Sequence, residues 1–228
     1  MPPGAFDELQ QALGLTHHLH GIVLNTAFDA LFDPVEVYCH DWMHCFFVDG
    51  VFNLVIVWLF EACIQSGMPQ VYQVCSDYIS KFVWPGRLHA THLHELFTED
   101  RKNKHRNAGH IKAQASDLLS LVSVLALFTQ TVLLKMQPIC AGTCTAFLAL
   151  VEVIDLIRSA PRVAVPPAMM PAVVENCLIM ISAEFGFDKM TPKFHWMLHF
   201  PSHLQKYQNM LNCFCLERKH RAAKKVLF

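Results

Sequence analysis

Asp41 and His44 stand three residues apart. On a helix that spacing puts both side chains on one face; at a strand–helix junction it lets His44 reach back to Asp41. An Asp–His pair can orient a phosphate or bind a metal ion. Asp41 also precedes an apolar run and is of a favoured N-cap type, so helix capping is the plain alternative. Glu217 is the second carboxylate that could do chemistry, because Arg218, Lys219, Arg221, Lys224 and Lys225 surround it. Phosphoryl transfer by two metals needs clustered carboxylates holding divalent cations about 4 Å apart. Hard oxygen ligands of this kind suit Mg²⁺ or Mn²⁺. The cations beside Glu217 would hold a phosphate backbone; otherwise this is a basic surface helix with an internal ion pair.

His195 and His199 are four apart, a spacing that two metal ligands share on a helix. Trp196 stands where the zinc-protease pattern has Glu, and Pro201 argues against one long helix through both. His17, His18 and His20, and His89, His92 and His94, read as histidine-rich loops. Cys39 or Cys45 beside His40 or His44 suggests a thiol nucleophile only superficially, since sequence neighbours rarely form such a dyad. Cys213-x-Cys215 and Cys140-x-x-x-Cys144 lack partner pairs at zinc-ribbon spacing. There is no Gly-rich phosphate loop and no Gly-x-Ser-x-Gly elbow.

The elements that must position these residues are mostly helical. Asp33-Pro34 marks a turn, and the alternation of Val35, Val37 and Cys39 behind it reads as a short strand ending near Asp41. A helix is expected from Val51 to Gln65, stopped by Gly67-Met68-Pro69. Another is expected over Gln70–Val83, closed by Trp84-Pro85-Gly86. His89–Asn107 reads as a polar loop or hinge. Ile111–Met136 reads as one helix or two. Phe147, Leu150, Val151, Ile154 and Ile157 recur at helical spacing within Gly142–Arg158. Pro161, Pro166, Pro167 and Pro171 form a linker, Ala172–Phe185 a further helix, and Pro192–Pro201 an irregular stretch. Ser202 opens a last helical region, which Leu211–Lys225 continues or restarts.

Of the 228 residues, 53% are hydrophobic and only 16% charged, so a sizeable core is within reach and general disorder is excluded. Net charge is −1, but residues 1–100 hold two Lys/Arg against twelve Asp/Glu, and residues 101–228 hold sixteen against seven. A basic half permits an anionic partner, while two solvated faces of one globule would give the same count. Met1–Gln11 has neither a basic n-region nor an apolar h-region. The nine cysteines lie scattered in apolar stretches, as reduced core thiols of a nuclear or cytoplasmic, non-secreted protein would. Val51–Ile64 is too short to span a bilayer. Leu118–Leu134 sits at the lower length limit and carries Ser120, Ser123, Thr129, Gln130 and Thr131, so a buried helix is the expected reading and a membrane span the alternative.

Beyond single residues, Phe32-Asp33-Pro34-Val35-Glu36-Val37, then Asp41-Trp42-Met43-His44 and Gly50-Val51, resemble the "fdp…D-x-M-H…G-V" block of CACTA-like cut-and-paste DNA transposases. Lys112-Ala113 resembles the opening of a helix in their insertion domain. Lys193-x-His195-x-x-x-His199-x-Pro201, followed by Glu217-Arg218 and Lys224, is similar to their "K-x-H…H-x-P…E-R…K" block. Together the blocks touch about a quarter of the chain. The resemblance implies a mainly α chain, a helical insertion domain attached to an incomplete RNase H-like α/β core. Its expected parts are a core remnant at 1–50, the insertion domain at 51–188 and a basic segment with the Glu-Arg motif at 189–228. Asp41 and Glu217 would be catalytic and metal-binding acids. His44, Arg218, Lys219, Arg221, Lys224 and Lys225 would contact DNA. Asp29, Asp33 and Asp41 all remain candidates for the second acid. The family's first catalytic Asp lies well upstream of its D-x-M-H block, and only 40 residues precede Asp41. A degenerate copy or fragment is therefore expected, with strand cleavage absent or very weak, Mg²⁺ or Mn²⁺ as cofactor where any activity remains and none otherwise, and weak non-specific DNA binding. A homo-oligomer is compatible with it. A non-enzymatic helical interaction protein and a small membrane protein are the alternatives.

Overall fold

The computed structural model describes residues 39–85, 90–136, 138–162, 165–166 and 168–210. Every regular element among these is helical, and none is a strand. The mainly α expectation holds. The strand expected through Val35 and Val37 lies outside the described residues. The chain divides into two units, Met1–Cys39 and His40–Phe228, and all the described helices belong to the second.

The short helix α1 (Trp42–Phe47) is followed by α2 (Val51–Gln65). Apolar residues all round α2 are buried, among them Val51, Phe52, Val55, Ile56, Leu59, Phe60 and Cys63. A helix apolar on every side belongs in the middle of a fold, and α2 does pack against α1, α3 (Val71–Ser80) and α6 (Ala141–Ser159). Its stop is the expected one: Gly67 takes φ 99°, which few other residues adopt.

The stretch expected as a polar loop is instead ordered. Leu93–Phe97 forms a 3₁₀ turn and Glu99–Ala108 a helix, α4. Thr98 stands extended before it, Glu99 and Asp100 occupy its first turn, His105 and Arg106 its last, and Gly109 closes it at φ 71°. These are start, dipole and stop signals. Burial of His105 holds α4 down: its Nε2 lies 2.7 Å from Leu96 O, while Lys112 N–H donates to its Nδ1 at 3.0 Å. The ring is thus the neutral Nε2–H tautomer, and burial lowers its pKa.

Helix α5 (Ala115–Phe128) runs into a π-helical turn at Thr129–Leu133 and a last turn at Leu134–Met136. Thr129 and Thr131 hydroxyls donate to Leu125 O and Leu127 O, at 2.8 and 2.7 Å, the back-bonding that often bends a helix. Helix α7 (Met169–Phe185) packs along α6 beyond the proline linker.

Pro192–Pro201, expected as irregular, is also helical: α8 (Pro192–Trp196), a 3₁₀ turn at Met197–His199 and α9 (Phe200–Tyr207) follow without a gap. Pro192 opens α8 at a position where a missing N–H costs nothing. Pro201 sits in the first turn of α9, where the same holds, so it tightens the preceding turn rather than ending the rod.

Two stretches, Trp42–Gln65 and Ala115–Met136, are long and apolar enough to cross a membrane by length and composition, each with mean hydropathy 1.9. In the first, Asp49 at φ 44° divides α1 from α2.

Candidate functional site

The two sequence blocks meet. Asp41 is extended (φ −73°, ψ 114°) and caps α1: its Oδ1 accepts from Met43 N–H at 2.9 Å. Its Oδ2 lies 2.5 Å from His44 Nδ1. Both carboxylate oxygens are therefore engaged, one by the helix N-terminus and one by the imidazole. The capping reading and the Asp–His pair are the same arrangement seen from its two oxygens.

At the other end of α1, the cap residue Val48 presents its carbonyl to the Lys193 ammonium, which also donates to Asp49 O at 3.4 Å. A helix C-terminus leaves carbonyls without intrahelical partners, and here a cation 145 residues away in sequence satisfies one. Burial pushes the Lys193 pKa down, opposed by Cys45 and Asp49. The Cys45 thiol donates to Lys193 O at 3.2 Å. Cys45 is buried, and burial raises its pKa strongly, the reverse of what a nucleophilic thiol needs.

Aromatic rings continue the junction. Phe46 meets Phe200 at 5.7 Å, and Trp58 of α2 stacks on Phe194 at 5.8 Å with planes 4° apart. His40 stacks on Trp196 at 4.9 Å and lies 5.0 and 5.8 Å from the His199 and His203 rings. An aromatic pair of this kind contributes about 0.5–1.5 kcal/mol beyond its area.

The turn between α1 and α2 is held as closely. His110 Nε2 lies 2.8 Å from Asp49 Oδ1. Asn53, 1% exposed, donates to Ile111 O at 2.8 Å, and its backbone carbonyl accepts Ile111 N–H at 3.2 Å. Gly50 is needed for space: a Cβ there would run into the backbone carbonyls of Cys45 and Phe46.

Of the site residues expected from sequence, Asp41 and His44 are together. Glu217, Arg218, Lys219, Arg221, Lys224 and Lys225 lie outside the described residues, as do Asp29 and Asp33. Among the described residues no three His, Cys, Asp or Glu side chains form a ready metal-ligand set. Lys193 is a site residue that sequence reasoning misses. It belongs to a block that stands out on its motif, but nothing in the sequence names Val48 as its partner. No family model, curated protein or solved structure matches the chain.

Proposed function

We infer that the chain is a transposase-derived helical domain that binds DNA weakly and without sequence preference, with no strand-transfer chemistry of its own. One observation carries the reading. The Asp41–His44 block and the Lys193–Pro201 block, each weak alone, pack on one another through Lys193 and Val48, Cys45 and Lys193, and Phe46 and Phe200. In a transposase catalytic region these blocks belong to one core, and their packing here is what that reading expects. The helices from α2 to α7 then correspond to the insertion domain, and α1 with the C-terminal block to what is kept of an RNase H-like core. The basic residues from Arg218 to Lys225 supply the phosphate contacts, in the nucleus or cytoplasm.

The part Asp41 plays here, capping a helix and pairing with His44, needs no bound cation. The purified chain is expected to leave supercoiled plasmid intact with Mn²⁺. Nicking that Asp41→Asn abolishes would restore Asp41 as a catalytic acid, since Asn keeps the cap.

A second reading, a non-enzymatic helical interaction protein, is favoured by an open groove of about 520 Å³ between α7 and α8. Leu178, Ile179, Phe187, Met190 and Leu198 line it, and Ile179, Phe187 and Leu198 are 59, 80 and 51% exposed. A concentration-dependent homo-oligomer broken by Phe187→Asp would support this reading over DNA binding.

A further inference from the structure

The rod from α8 to α9 carries His195, His199 and His203 at intervals of four, on the side that meets His40. Nothing in the DNA-binding reading uses them. His195 Nε2 and His199 Nε2 are 3.3 Å apart. Two imidazole nitrogens bound to one tetrahedral zinc ion, each at about 2.0–2.1 Å, are separated by about 3.3–3.4 Å. The spacing thus matches the bite of a chelate.

The geometry points to His195 and His199 as a two-histidine chelate for a borderline-soft divalent ion of the Zn²⁺ class, its remaining positions open to water. A neutral pair at this distance shares one ring proton; the ion takes that proton's place, and the ring's other nitrogen carries the proton instead. Imidazole suits Zn²⁺, Ni²⁺ and Cu²⁺, and not the hard Mg²⁺ that a carboxylate site would take.

Three further observations agree. The two rings stand nearly perpendicular, with planes 81° apart and centroids 5.1 Å apart, and the two Nε2 atoms approach more closely than the centroids do. The surroundings favour the uncharged ring that binds metal: burial first, then the neighbouring His195, lowers the His199 pKa, and burial followed by His199 and Lys206 lowers that of His203. The His203 Nδ1 is buried and makes no hydrogen bond. Among the described residues, the titratable groups that act on this cluster are His40, His203 and Lys206.

Calorimetric titration of the EDTA-treated full chain with ZnCl₂ tests this. With 14 histidines in the chain, weak surface uptake is separated by variants. One Zn²⁺ is expected per wild-type chain. His195→Asn with His199→Asn should weaken it at least about tenfold, the loss that removal of even an outer-sphere partner brings, and His92→Ala with His94→Ala should leave it unchanged. Equal affinity in the His195/His199 variant, or no uptake by the wild type, overturns the site. If the double variant does not fold, histidine ¹⁵N spectra of the wild type decide. One equivalent of Zn²⁺ should shift the Nε2 resonances that the single variants His195→Asn and His199→Asn each lack, and unmoved resonances overturn the site equally.

Discussion

At the scale of single residues, Asp41 shows how one carboxylate serves two readings. Its position before an apolar run announces a cap, its spacing to His44 announces a pair, and the side chain does both. Asp41→Ala should cost about 1 kcal/mol of stability, within the range seen for lost N-caps. Asp41→Asn should recover most of it, because an amide oxygen still accepts from Met43 N–H; denaturant unfolding of both variants is the check. Equal losses would mean that the charge beside His44, rather than the cap, is what matters. This much is legible in the sequence because capping and i,i+3 pairing are local. The carbonyl that Lys193 satisfies is not legible, because the partner lies 145 residues away and nothing in either segment encodes the meeting.

Among the elements, the sequence is clearest where burial is continuous. The apolar run of α2 and the helical period of α6 both give helices close to their expected bounds. It misleads where polar residues dominate. α4 has one buried residue, His105, so hydrophobic periodicity is silent there, although Thr98, Glu99, Asp100 and Gly109 supply the terminal signals. It misleads again at Pro192 and Pro201, which look like breakers although both sit in first turns. The join of α1 and α2 depends on one small residue. Gly50→Ala should destabilise by about 1–3 kcal/mol, the usual cost of overpacking, since the atoms its Cβ meets belong to backbone and cannot rotate away. Thermal unfolding reads this directly, and an unchanged midpoint would show that the α1–α2 turn gives way without cost.

For the whole molecule, the histidine cluster ties stability to pH. Burial, then the charges of His199, His203 and His195, lowers the His40 pKa from 6.5 to about 4, and burial lowers those of His105, His199 and His203. Each group binds its proton more readily when the chain unfolds, so its contribution is fully present above pH 6.5 and is lost as pH falls toward about 4. In metal-free buffer the melting temperature should drop across that window, and less so in His199→Gln; a flat profile would contradict the packing of these rings. The buried thiols point the same way as the core. Cys45, Cys63, Cys75, Cys140, Cys144 and Cys177 are free and buried, and burial holds Cys144 and Cys177 up at about 12. The claim on which the functional reading stands is that the chain holds DNA by charge. The measurement that tests it most directly is fluorescence anisotropy of a labelled duplex titrated with the full chain at several salt concentrations. Binding with a Kd of about 10⁻⁴–10⁻⁶ M at physiological salt is expected, with affinity falling linearly in log–log form between about 50 and about 200 mM. The slope should shrink when Arg218, Lys219 and Arg221 become Gln. No binding at the lowest salt, or an affinity that salt does not change, would contradict it.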